Sequence, residues 1–73
     1  MRILLKDYDN DEKRIICPVM VYVDATESIT AHLSDSLKIR IYDFDGVNQA
    51  KRCLEKLWET GYANLTGFKW MIL

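Results

Sequence analysis

Seventy-three residues suffice for one domain around one small core, so most apolar side chains must serve packing and little chain is left for an elaborate active site. With 49% hydrophobic and 29% charged residues, three Gly and one Pro, the composition excludes fibrous and disordered classes. A net charge of -1 argues against attraction of the whole molecule to nucleic acid or membrane, so only the local placement of charge can speak for a partner.

The chain opens on "MRILLKDYD", whose apolar run is far too short for a signal-peptide core or a membrane span, so a cytoplasmic protein without membrane contact is expected. Residues 1 to 6 and 13 to 24 are rich in strand formers and flank the polar, turn-prone "DYDNDE", a pattern that predicts an antiparallel hairpin. Pro18 removes a ladder donor from the second strand and places it at an edge or a bulge. The acidic segment resembles the start of a calcium-binding EF-hand loop. A loop beginning at Asp7, however, would hold Glu12 where Gly belongs and Pro18 where Glu belongs, and helical flanks are missing. It is read as a solvated turn whose Asp7, Asp9, Asp11 and Glu12 are candidate contacts, able to imitate nucleic acid.

Residues 25 to 36, "ATESITAHLSDS", admit either a short strand around Ile29 to Leu33 or one helical turn. "LKIRIY" alternates cleanly, with Leu37, Ile39 and Ile41 on one face and Lys38, Arg40 and Tyr42 on the other, as in a half-buried strand. After "DFDG" one helix is predicted over Val47 to Thr60, because Val47, Ala50, Leu54, Leu57 and Trp58 recur at helical spacing. Asp45 suits its N-cap and Gly61 its C-terminal end. "FKWMIL" is a final strand burying Phe68, Trp70 and Ile72.

The expected fold is a single compact α+β domain over residues 1–73. Its sheet is mixed and mostly antiparallel, of four strands, or five if residues 25 to 36 supply one, in the order β-β-(β)-β-α-β. One helix packs on one face, and the closing β-α-β sets its two strands parallel by a right-handed crossover.

"IRIYDFDGV", residues 39 to 47, resembles the first motif of the haloacid dehalogenase phosphatases, in which paired Asp residues attack phosphorus, shuttle a proton and hold Mg²⁺. The resemblance implies nucleophile and proton-shuttle roles for Asp43 and Asp45. It also implies a Ser/Thr, a Lys and a further acidic pair from later strands. After Gly46 the chain supplies one helix and one strand, with Lys69 as the sole basic residue near a strand. Without a phosphate clamp there is little to stabilise the transition state. The motif reads instead as a turn and helix cap.

Cys17 and Cys53 lack CxxC spacing, and His32 is the one histidine, so zinc ligands are too few; both thiols are expected reduced and mostly buried. Ser28, Ser34 and Ser36 have only His32 as a base, and Gly46, Gly61 and Gly67 stand apart rather than forming a phosphate loop. No enzyme, cofactor, metal or small-molecule substrate is expected.

If the helix covers Ile3, Leu5, Leu37, Ile39, Ile41, Phe68, Trp70 and Ile72, alternation sends Arg2, Leu4, Lys6, Lys38, Arg40, Tyr42, Lys69 and Met71 to the opposite face. From the second strand, Ile16, Met20 and Tyr22 are expected outside in preference to Cys17, Val19 and Val21. Nine of the eleven acidic residues fall in or beside loops, so the near-zero net charge conceals a basic and aromatic sheet face with an acidic rim. Such a face marks an interface. The candidate contacts are Arg2, Lys6, Met20, Tyr22, Lys38, Arg40, Tyr42 and Lys69. The partner is a protein or a second copy; the alternative is single-stranded nucleic acid stacked on Tyr22 and Tyr42. In size and lack of motifs the chain resembles the small inhibitors, anti-CRISPR-like, that phages and mobile elements direct at host proteins.

Overall fold

The computed structural model describes residues 1–73. β1 (Arg2–Asp7) and β2 (Glu12–Ile16) form the expected antiparallel hairpin across the acidic turn, with Ile3 opposite Ile16 and Leu5 opposite Arg14. At Pro18, which is buried, the expected long second strand breaks; the chain resumes as β3 (Met20–Val23) in a different sheet. A residue with no N–H at a point where both sides would be paired favours that change of sheet.

A hairpin turn leads from β3 to β4 (Ile29–His32), so of the two conformations open for residues 25 to 36 the strand is adopted. β5 (Lys38–Tyr42) follows antiparallel to β4, then α1 (Val47–Thr60), the short β6 (Tyr62–Asn64) and β7 (Lys69–Ile72). The α+β class and the single helix are as expected, but the strands divide into two sheets. One is ordered β2-β1-β6 and the other β3-β4-β5-β7. The parallel pair is β1 with β6, whereas β5 and β7 are antiparallel. After the helix, β6 takes the place beside β1, and a turn closed by the Phe68 N–H on the Leu65 carbonyl at 3.1 Å reverses the chain into β7.

The inner faces of the two sheets and α1 enclose a core of 12 residues that includes Ile3, Leu5, Ile39, Ile41, Leu54 and Leu57. α1 packs along β6 and β3 and so closes one side of the space between the sheets. A Cα radius of gyration of 11.2 Å matches the roughly 11 Å of a compact chain of this length.

Several core assignments change with the second sheet. Phe68 and Trp70 pack against the core, but Leu37 and Ile72 are exposed. They stand at an apolar cleft of about 180 Å³ where the two sheets diverge, shared with Leu5, Ile16, Leu33 and Trp70. Ile16 faces this cleft rather than the outside, because the break at Pro18 resets the alternation. Trp58 lies on the solvent side of α1, 61% exposed. Cys17 is exposed, not buried, Cys53 is half-buried, and both are free thiols. Gly61 ends α1 in the left-handed conformation, as expected. Asp45 does not cap its start: Gly46 occupies that position with no side-chain cap, and the Gln49 side chain reaches back to accept the Asp45 N–H.

Candidate functional site

Pairing in the four-stranded sheet fixes which side chains share its outer face. Tyr22 lies opposite Thr30, Thr30 opposite Arg40 and Arg40 opposite Met71, which makes one row across all four strands. Met20, His32 and Lys38 form the row on one side of it, and Tyr42 with Lys69 the row on the other. The partners of these strands on the inner side are Val21, Ala31, Ile39 and Ile41, all buried, so the strand period of two separates core from face along β3, β4 and β5, with Thr30 on the outer side enclosed by its own neighbours. α1 packs against β3 and β6, and on the outer face the Asp24 carboxylate from the β3–β4 turn lies over Thr30 and Arg40.

Six of the eight expected contact residues, Met20, Tyr22, Lys38, Arg40, Tyr42 and Lys69, are thereby brought together. Arg2 and Lys6 are not, because β1 belongs to the other sheet, where Arg2 pairs with Tyr62 and Lys6 with Lys13. The Arg2 guanidinium lies 6.0 Å from the centre of the Tyr62 ring. Lys6 forms an ion pair with Asp11 at 2.7 Å, which raises the Lys6 pKa and lowers that of Asp11, through the hydrogen bond first and the Coulomb attraction second.

A residue that the sequence reading left in the acidic rim organises the face. Asp24, at the end of β3, accepts hydrogen bonds through Oδ2 from Thr30 Oγ1 at 2.7 Å and Arg40 Nε at 2.9 Å. Through Oδ1 it accepts the Thr26 and Ser28 N–H groups at 2.9 and 3.3 Å and the Thr26 hydroxyl. Its side chain is only 10% exposed. Burial pushes this carboxyl up, but the hydrogen bonds from Thr26, Thr30 and Arg40 together outweigh it and hold the group well below the usual carboxylate range. A signal existed in the spacing: Asp24, Thr26, Ser28 and Thr30 place an acceptor and three hydroxyls at alternate positions around one hairpin.

His32 is half-buried on the same face, its Nε2 3.1 Å from the Tyr22 hydroxyl, with the two rings 5.5 Å apart and tilted. Arg40 is thus partly neutralised by Asp24, and Lys38 and Lys69 carry the face's unpaired positive charge around Tyr22, Tyr42, Met20 and Met71.

The acidic hairpin loop is largely satisfied within itself. Asp7 accepts the Asp9 N–H at 3.1 Å and pairs with Arg14 at 3.1 Å, and Asp11 is held by Lys6. Asp9 and Glu12 are left without an ion pair. The Tyr8 hydroxyl donates to the Thr66 carbonyl at 2.9 Å and pins the loop to the β6–β7 turn. Asp43 and Asp45 are exposed at the β5–α1 connection, Asp43 with a positive φ of 75°. Nowhere do three His, Cys, Asp or Glu side chains converge as metal ligands would. No helix is long and apolar enough to cross a membrane.

Comparison with protein-family models, curated proteins and solved structures gives no match.

Proposed function

We propose that this chain is a non-enzymatic contact module that binds a protein partner through the outer face of β3-β4-β5-β7. The observation that carries this reading is the register that gathers Met20, Tyr22, Arg40 and Tyr42, types enriched at interface centres, with Lys38 and Lys69 beside them on the outer face of one sheet. Because Asp24 already serves Arg40, the face presents Lys38 and Lys69 without a matching acid, and an acidic patch with apolar gaps for Met20 and Met71 is its complement. A second copy on this face would set those lysines against their own kind, which favours a different protein. The finer form of the reading is a cytoplasmic inhibitor of a host defence or regulatory protein, of the sort carried by phages and mobile elements. It is supported by the small domain size and the contact surface. The acidic loop contributes less to such a role than its composition suggests, since Lys6 and Arg14 neutralise part of it.

The test is affinity capture from host lysate with wild type, Tyr42→Asp and the double variant Lys38→Glu/Lys69→Glu. Arg40 is unsuitable as a reporter because its loss strips Asp24. A specific partner whose affinity falls at least about tenfold in both variants, with the circular dichroism unchanged, is the expected result. Retention of that partner by both variants removes the face from the interaction. The second reading, single-stranded nucleic acid on the same face, draws on the placement of Tyr22, Tyr42 and His32 among Lys38, Arg40 and Lys69. It is favoured instead if an oligonucleotide is retained with an affinity that falls steeply as salt rises.

A further inference from the structure

Every sheet edge offers bare N–H and C=O groups to another chain, and folds blunt such edges with cover, charge or proline. This one has four edges: β2 and β6 in the first sheet, β3 and β7 in the second. α1 packs along β6 and β3. β2 carries Glu12, Lys13 and Arg14 and runs on to Pro18, the devices that discourage pairing. β7 has none of these beyond Lys69 at its start. It continues as Trp70, Met71 and Ile72, and of the other elements only β5 pairs with it. Met71 is 44% and Ile72 67% exposed.

The ladder identifies the groups left bare. The Leu73 N–H donates to the Lys38 carbonyl at 3.0 Å, so by alternation Met71 and Lys69 also turn toward β5, while Trp70 and Ile72 turn their N–H and C=O outward. We infer that β7 pairs antiparallel with β7 of a second copy about a two-fold axis at Met71, joining the two four-stranded sheets into one. In this register Trp70 lies opposite Ile72 of the second copy and each such pair exchanges two hydrogen bonds, using the groups that face away from β5. Met71 meets Met71, and Lys69 falls beside Leu73, so no like charges are opposed. The register is therefore self-complementary in hydrogen bonding, charge and apolar contact, which is what an isologous interface requires. Ile72 and Leu37, at the mouth of the apolar cleft, gain cover. This dimer is independent of the partner reading above, and it would make the two outer faces continuous with Met71 at the seam.

A four-residue edge makes a small interface, below the roughly 1,200 Å² total typical of lasting complexes, so association should depend on concentration. Sedimentation equilibrium from about 10 μM to about 1 mM, a span that brackets weak dimers, should show the mass rising from 8.6 kDa toward twice that value. Over the same range the Trp70 and Ile72 amides should exchange more slowly, while Met71, bonded to β5, is protected throughout. Ile72→Lys, and Ile72→Pro, which removes an outward N–H without touching the β5 ladder, should hold the protein at monomer mass; Tyr42→Asp should leave the dimer intact. A monomer at about 1 mM with fast Trp70 and Ile72 exchange overturns the inference. So does a dimer that survives Ile72→Lys or is dissolved by Tyr42→Asp. The exchange measurement uses wild type alone and decides the matter even if the proline variant does not fold.

Discussion

Asp24 is the residue on which the outer face depends. A carboxylate this enclosed is stable only while its lone pairs are occupied, and here three side chains and two backbone N–H groups occupy them. Asp24→Ala leaves the Arg40 guanidinium without its counter-ion and the Thr30 hydroxyl without its acceptor, and should lower the unfolding free energy by about 3 kcal/mol in urea titrations at neutral pH. The pH dependence has a definite sign. The folded pKa is depressed relative to the unfolded value of about 4, so the contribution is fully present above that value and declines as pH falls through it toward the folded pKa. The stability gap between wild type and Asp24→Ala should therefore be constant from pH 7 to about 5 and shrink below about 4. A gap near zero at neutral pH would show that water replaces the network equally well.

At the scale of elements, α1 is bounded by backbone rather than by side chains. Gly46 holds φ 94° and ψ 173°, a region open essentially to glycine alone, and Gly61 holds φ 73° at the other end with its N–H on the Leu57 carbonyl at 2.8 Å. A Cβ at any of the three glycines meets nothing within 4 Å, so the cost of alanine at Gly46 and Gly61 is conformational, with no clash added. Gly46→Ala should cost about 2 kcal/mol and Gly61→Ala about 1 kcal/mol by thermal denaturation. Gly67→Ala, where φ is not positive, serves as the control and should be close to neutral. The alternation of "LKIRIY" and the helical spacing from Val47 to Leu57 made β5 and α1 legible in the sequence. The start of the helix was less so: Asp45 suits that position by residue type, but the backbone conformation puts Gly46 there. β6, with one buried residue in three, carries too little periodicity to be seen; its place beside β1 is set by a pairing across sixty residues of chain.

For the whole molecule, periodicity tells which residues share a face of a strand but not which strands share a sheet. Met20, Tyr22, Lys38, Arg40, Tyr42 and Lys69 were legible as one surface because each sits at an outward position of β3, β5 or β7, strands of the same sheet. Arg2 and Lys6 were misplaced with them because β1 pairs elsewhere. Two sheets that diverge at one end need links besides the shared core. α1 is one, the chain at Pro18 and the β6–β7 turn are others, and a further one is the Trp70 indole N–H, which donates to the Lys6 carbonyl at 2.9 Å and ties β7 to β1. Trp70→Phe keeps most of the ring's packing and deletes this link, so it should cost about 1 kcal/mol in urea. Fluorescence makes the test specific. Trp58 is already in water in the native state, and Trp70 is packed against the core, so the red shift on unfolding belongs to Trp70. Trp58→Phe should retain that shift and wild-type stability, and Trp70→Phe should lose most of it along with the stability. A full red shift in Trp70→Phe would mean that the sheets do not enclose this side chain, and the link between them would have to be sought at Pro18, the β6–β7 turn and α1.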